Sequence, residues 1–415
     1  MQSDQAAIRR AGTALALSQS VSSMGFLSLS TLNAIIASRL SGTDRMGGVP
    51  QALILLGAAV SAYVSGRLIG RIGRRNALLI GSVFAMIGGL VAAGGVLLSA
   101  LSVFFSGMVL LGMGRGALDQ GRYAAAEINP PDRRASAVSR VVWGGTVGAV
   151  IGPVLAGPSG RFVNQYFGLI PDAGAPLMTA FLAAVAGIII AVLLADVDFK
   201  GLAQRAGATL QRTDEGKAAA MNVKGSPVLH HPVARAAMVT LACAQAAMAL
   251  MMAVIGLHMK NHGHEADVGI VITAHVLGMF AFSPLVGRMA DKFGRRNTIY
   301  LGLATLALGS IFTPLFLNTP WIMWSEFLVG LGWSMCYVSG STMLTNVLTP
   351  AERAKSQGTS DLFVNLASGV GSLSSGLLLA SFDFIWVGVV GVCISLLPLL
   401  ALWNSRTPAT KPMTV

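Results

Sequence analysis

Gly287-Arg288-Met289-Ala290-Asp291-Lys292-Phe293-Gly294-Arg295-Arg296-Asn297 joins two long apolar runs through a tight basic turn, and the chain carries that turn twice. Gly66-Arg67-Leu68-Ile69-Gly70-Arg71-Ile72-Gly73-Arg74-Arg75-Asn76 has Gly, Arg, Gly, Arg, Arg and Asn at the matching places. Glycine permits a sharp reversal between antiparallel helices. Arginine holds such a turn out of the hydrocarbon. One position differs, with Asp291 in the later copy and Gly70 in the earlier. A second echo, Pro350-Ala351-Glu352-Arg353-Ala354 after Pro131-Asp132-Arg133-Arg134-Ala135, repeats the signal. Duplication on this scale in an apolar chain predicts two structural halves.

The 415 residues are 54% hydrophobic and 11% charged, with mean hydropathy +0.69. A soluble domain carries about 25% charged residues. Apolar runs of about 20 residues, each long enough to cross a bilayer as a helix, recur from end to end. Twelve spans are predicted, at 12–36, 47–66, 76–98, 101–121, 138–157, 176–195, 233–257, 267–286, 297–317, 321–343, 358–380 and 384–403. The short alternating segments of a membrane β-barrel are missing. The fold expected is an all-α polytopic membrane protein, with six-helix bundles over 1–195 and 233–415 and a polar linker over 196–232 containing a surface helix.

A net charge of +12 raises nucleic acid as a partner, but its placement argues against one. Only Arg39, Arg45, Arg161, Lys260 and the intraspan Arg115 depart from the side that holds the N-terminus. That asymmetry is the positive-inside rule, and it puts both termini in the cytoplasm. The first apolar stretch is too long for a cleaved signal and is expected to stay as an anchor. Cys243, Cys336 and Cys393 lie in spans without disulfide or zinc spacing. No catalytic triad, P-loop or zinc-hydrolase motif occurs, so neither an enzyme nor a cofactor is expected. The partners expected are the lipid bilayer and a small substrate.

The paired loops resemble the signature of the major facilitator superfamily, and the likeness spans the whole chain. It implies twelve helices around a central cavity, alternating access, a bacterial inner-membrane location and a protein that works as a monomer. It also implies a cytoplasmic gate built from Gly66, Arg67, Arg71, Gly73, Arg74 and Arg75, and from Gly287, Asp291, Gly294, Arg295 and Arg296. In that family the acid of the loop latches the halves together, so Gly70 leaves the first-half latch without its acid. Glu127 is expected to pair with Arg74 or Arg75, and Asp361 with the first-half loop. The run Gly144 to Pro158 is similar to the antiporter motif of drug–proton exchangers, with Ala156 where a second glycine is usual. Gly148, Gly152, Pro153 and Gly157 are expected to form a flat, kinked packing face.

Two features point to cargo and coupling. Arg115 and Asp119 stand four residues apart on one helical face. Charge at the bilayer centre costs about 2.5–3.5 kcal/mol, so both should face the interior, as a proton carrier or as a structural pair. All six histidines fall between His230 and His275. His258, Met259, His262 and His264 are expected to gather an ion at the outer mouth, where Glu265 also lies. His275 alone lies within a span. Met248 and Met252 share one helix face, as do His275 and Met279. Thioethers and imidazole suit Cu(I), and neither motif holds the carboxylate that Ca²⁺ or Mg²⁺ would want.

These two motifs on consecutive spans resemble the CcoA-like bacterial copper importers, a branch with proposed riboflavin transporters among its relatives. The resemblance implies a copper site at Met248, Met252, His275 and Met279. The first expectation is therefore a copper importer whose uptake weakens in acid, since neutral imidazole is the ligand form. The alternative is a proton-coupled carrier of small organic molecules such as drugs or riboflavin, with Asp119 or His275 titrating.

Overall fold

A computed structural model describes residues 2–43, 46, 48–207, 227–264, 267–316 and 318–405. Arg45, Glu265, most of the 196–232 linker and the tail with Arg406 and Lys411 lie outside the described residues, as does the side chain of Lys260. Among the described residues the chain is helical throughout and has no strand. Hydrocarbon offers no partner to a bare peptide group, so each span must satisfy its own backbone as a helix.

The first half comprises α1 (Gln2–Ser41), α2 (Val49–Ile72), α3 (Arg74–Leu97), α4 (Leu101–Leu118), α5 (Gly121–Glu127), α6 (Arg134–Phe167) and α7 (Gly174–Leu193). Short helices α8 (Phe199–Gly207) and α9 (Pro227–His230) follow. The second half comprises α10 (Pro232–Asn261), α11 (Val268–Phe280), α12 (Ser283–Phe293), α13 (Arg295–Phe312), α14 (Thr319–Val347), α15 (Pro350–Ser381) and α16 (Phe384–Asn404). Twelve of these stretches are long and apolar enough to cross a membrane.

Several spans run further than hydropathy predicts. α5 continues the fourth span to Glu127, and α15 begins at Pro350 rather than 358. Both extensions carry polar residues that the other half buries, a stabilisation that local hydropathy does not register. The eighth span is two helices instead of one. It breaks at Ala281–Phe282, where Pro284, at the start of α12, has no N–H for the ladder.

The two basic turns are built alike. Gly73 and Gly294 take φ of 81° and 92°, a region that L side chains avoid. Beside them, Gly66 and Gly287 let helices of opposite halves touch backbone to backbone. A Cβ at Gly66 would lie 2.5 Å from the Ala354 carbonyl, and one at Gly287 would lie 2.8 Å from the Ala135 carbonyl. The halves therefore meet through α2 against α15 and α6 against α12, at the end that carries the basic loops.

The glycine run of α6 faces α1 of its own half. Gly148 packs on Ser23 and Gly152 on Met24 and Leu27. Gly157 does not belong to that face, because it is exposed and a Cβ there would meet nothing. Ala156, four residues after Gly152, takes the contact position, since a fifth residue rotates away by 100°. Pro153 also points outward.

Candidate functional site

Between the halves lies a cavity of about 450 Å³. Its floor is the closed seam at the basic-loop end. Its lining climbs to Gln51, near the start of α2 at the far end. A hollow of about 550 Å³ beside Arg9, Arg10 and Leu193 is a surface groove of the first half alone and offers no route across.

Charge is concentrated on the floor. Arg115 and Asp119 line it and pair at 3.7 Å, with the Arg115 guanidinium 4.1 Å above the Phe26 ring. Asp119 sits where α4 ends, so the pair marks a break in the fourth span. Next to it Arg122 makes a buried ion pair with Asp361 of α15. The Arg122 guanidinium lies between the Tyr123 and Tyr337 rings, at 4.3 and 4.5 Å. Gln120 donates to the second carboxylate oxygen at 2.7 Å, and the Tyr123 hydroxyl donates to the first at 3.1 Å. Asp361 is thus held by α5 and the end of α4, not by the first-half loop. An acid this deep goes to the guanidinium that shares its cavity.

The wall toward the second half is aromatic. Trp333 and Tyr337, one turn apart on α14, stack at 4.4 Å, and Phe280 meets Trp333 edge-on at 5.9 Å. The Trp333 indole N–H donates to Gln245 Oε1 at 2.8 Å, and the Gln245 amide donates to Ser368 at 3.3 Å. Gln19, Gln51 and Asn365 add amides around the same space. Nothing in helical spacing brings this group together along the chain. A lone Gln within an apolar span, Gln245, was the signal available for it.

Met248, Met252, His275 and Met279 all line this cavity. His275 is 1% exposed, and behind it stands Glu326, completely buried on α14. His275 Nδ1 lies 3.1 Å from the Glu326 carbonyl and 3.0 Å from its Oε2. His275 Nε2 has no partner. Thr313 donates to the other carboxylate oxygen at 3.4 Å. The fold sets Glu326, one to two turns into α14, against the histidine that the sequence places within a span.

Among the described residues the outer-mouth set is divided between the core of the second half and its surface. Met259 is completely buried in the core of the second half, and His258 stacks on Phe384 at 3.9 Å. α10 continues past the predicted span, so its last turn packs inward. Burial and the neighbouring His262 push the His258 imidazole down to about 4. His262 Nδ1 meets the His258 carbonyl at 2.8 Å, and His264 lies 3.8 Å from Asp267. No group of three His, Cys, Asp or Glu able to hold a metal occurs among the described residues.

At the seam, Asp291 accepts from the Ala135 and Ser136 N–H groups at 3.1 and 2.8 Å and from the Ser136 hydroxyl at 2.7 Å. A second-half acid thereby caps the N-terminus of a first-half helix, where the helix dipole favours negative charge. Arg295 pairs with Asp291 at 3.0 Å and donates to the Pro131 carbonyl. In the first half Arg74 pairs with Glu127 and donates to Gln357 of α15. Arg75 donates instead to the Ala191 carbonyl, and Arg296 to the Leu402 carbonyl, each bracing its own half. Arg67 and Arg71 are exposed, with Arg67 over the Tyr63 ring.

Comparison with known proteins bears on this architecture. The family model of the Major Facilitator Superfamily matches residues 15–262 and 237–414. An uncharacterized MFS-type transporter of Bacillus subtilis, YddS, is 29% identical over 91% of this chain and 86% of its own. The riboflavin transporter RfnT of Brucella anthropi is 27% identical over 96% of both chains. Among solved structures, the human organic anion transporter MFSD10 superposes with TM-score 0.74 at 15% identity, over 95% of this chain and 99% of that one. A bacterial homologue of the iron transporter ferroportin, in its outward-facing state, gives 0.68 at 17% identity, over 95% and 100%. At such identities the structural likeness carries the fold alone. Duplicated basic turns, twelve spans and a cavity between two bundles agree with the family match: this chain is a multi-pass membrane protein of the Major Facilitator Superfamily, a family of transporters and not of enzymes.

Proposed function

We propose that the chain carries a small organic molecule with a flat aromatic part, of the riboflavin kind, inward across a bacterial cytoplasmic membrane. The observation that carries this reading is the aromatic wall of Phe280, Trp333 and Tyr337 in a cavity whose lining also includes the amides of Gln19, Gln51, Gln245 and Asn365. Flat rings stack on aromatic side chains, and amides satisfy the polar edge of a heterocycle. The volume falls within the range of pockets that hold such molecules, about 300–1,000 Å³. The whole-length likeness to a riboflavin transporter supports the same class. With the basic loops and both termini in the cytoplasm, as the charge asymmetry favours, the present state is open to the outside. The bundle has a complete cavity within one chain, which supports a working monomer.

Copper(I) stands as a second reading, because Met248, Met252, His275 and Met279 share the cavity. Their thioethers are soft donors, and the free imidazole nitrogen of His275 suits copper as well. Purified protein in vesicles, given labelled riboflavin in one arm and labelled copper in another, separates the two. Riboflavin uptake that falls about tenfold in Trp333→Ala, the worth of one lost stacking contact, supports the main reading. Copper uptake abolished by Met248→Ala, with no riboflavin uptake, supports the second. Neither cargo moving in wild-type vesicles would sink both.

A further inference from the structure

Four arginines meet where the halves touch at the basic-loop end, and they form two repeat-related pairs. Arg74 and Arg295 hold matching places in the loops, and Arg134 and Arg353 hold matching places in the two Pro-led turns. Arg74, Arg134 and Arg353 are 6%, 0% and 3% exposed. Arg134 lies within electrostatic reach of Arg353, Arg295 and Glu127, and Arg353 within reach of Glu127 and Arg74. The four are one cluster, with two guanidiniums from each half.

Two carboxylates answer them. Glu127 pairs with Arg74, and Asp291 with Arg295. The repeat has places for two more acids and leaves both neutral. Gly70 stands where the second half has Asp291, and Asn346 stands where the first half has Glu127. Arg134 Nη1 consequently donates to the neutral Asn346 Oδ1, at 2.6 Å. Arg353 Nε has only the Thr345 and Leu348 carbonyls, both at 3.0 Å. Arg74 Nη1, Arg134 Nη2, Arg353 Nη1 and Arg295 Nε are buried without a hydrogen-bond partner. Buried polar groups are ordinarily satisfied, and buried charges are ordinarily paired.

We infer that this seam binds a phosphate-type oxyanion, which supplies the negative charge that Gly70 and Asn346 withhold. Guanidinium groups match the geometry of phosphate oxygens. Because both halves contribute arginines, the bound anion ties them together at the basic-loop end. It thereby favours the state in which the far end is open, by the differential affinity that shifts any two-state equilibrium. The anion is either free phosphate or the headgroup of an anionic lipid, and the inference holds whatever the cargo is.

Thermal unfolding of purified protein in detergent tests it, with millimolar inorganic phosphate against chloride at matched ionic strength. Phosphate alone should raise Tm, by about 2–4 °C. That rise should vanish in Arg134→Gln. Asn346→Glu, which builds the missing carboxylate into the chain, should raise Tm without phosphate and no longer respond to it. A parallel arm compares nanodiscs of phosphatidylcholine and phosphatidylglycerol in phosphate-free buffer. A rise confined to phosphatidylglycerol, and lost in Asn346→Glu, assigns the oxyanion to lipid. Equal effects of chloride and phosphate with no lipid effect overturn the inference. So does a response that persists in Asn346→Glu.

Discussion

The loops at Gly66–Asn76 and Gly287–Asn297 share a sequence and close the molecule by different means. In the second half the acid sits in the loop, and Asp291 reaches across to cap α6. In the first half the loop has no acid, and Arg74 reaches Glu127 at the end of its own bundle, with Gln357 bridging to α15. The helix that an acid at Gly70 would cap has its own solution. α15 carries a capping box, in which Glu352 and Thr349 satisfy each other's backbone N–H. The difference teaches that each half brings one acid to the seam, from a different place in its repeat, and that the two remaining acid places are neutral.

Removing the arginines sharpens that contrast most. Arg74→Met takes from Glu127 its direct ion-pair partner, leaving the Gln357 amide and the more distant Arg134 and Arg353, and should cost about 3 kcal/mol, the low end for breaking a buried pair. Arg295→Met should cost clearly less, since its Asp291 keeps two backbone donors. Thermal unfolding of the two variants checks the order, and equal losses would break the comparison.

Next in size is the close approach of backbones. Gly66→Ala pushes a methyl into the Ala354 carbonyl and the Gly358 backbone, which cannot rotate away. It should cost about 1–3 kcal/mol and slow uptake by preventing closure. Gly287→Ala meets the Ser139 hydroxyl, which can turn, but also the fixed Ser139 Cβ at 2.7 Å and the Ala135 carbonyl at 2.8 Å, so it should transport only a little better than Gly66→Ala.

Caps come third. Asp291→Ala should destabilise the closed seam by about 1–2 kcal/mol, seen as faster labelling of a cysteine placed at Ser136. Gly70→Asp has open space for its side chain and should oppose that effect by a few tenths of a kcal/mol.

A pH effect lies away from both loops, at His258, and is lost only in acid. Its folded pKa is depressed to about 4, below the unfolded value of about 6.5. Its neutral form is therefore the stable one, and stability present above pH 6.5 is lost as pH falls toward 4. A Tm lowered by a few degrees across that window, and flattened in His258→Phe, is the expected record.

Much of this molecule is legible in order along the chain. The twelve spans follow from hydropathy, because lipid forces each apolar run to satisfy its own backbone. The turns follow from glycine and arginine, because reversal and interfacial charge are local demands. The cavity was partly legible, since helical spacing puts Met248 with Met252 and His275 with Met279. What lies across it was not. Glu326 behind His275, the Gln245–Trp333 pair, and Asp361 against Arg122 join residues on different helices. Met259 read as an outer-mouth ligand because sequence spacing does not say which way the last turn of α10 faces.

The sequence by itself therefore determined the solvent, the number of crossings, the two halves and the basic end, all set by transfer energies summed within single segments. Only the tertiary structure decided which charges meet, which faces turn to the cavity and which latch keeps its acid. Those outcomes depend on contacts between segments hundreds of residues apart, and no local energy in either segment encodes its partner.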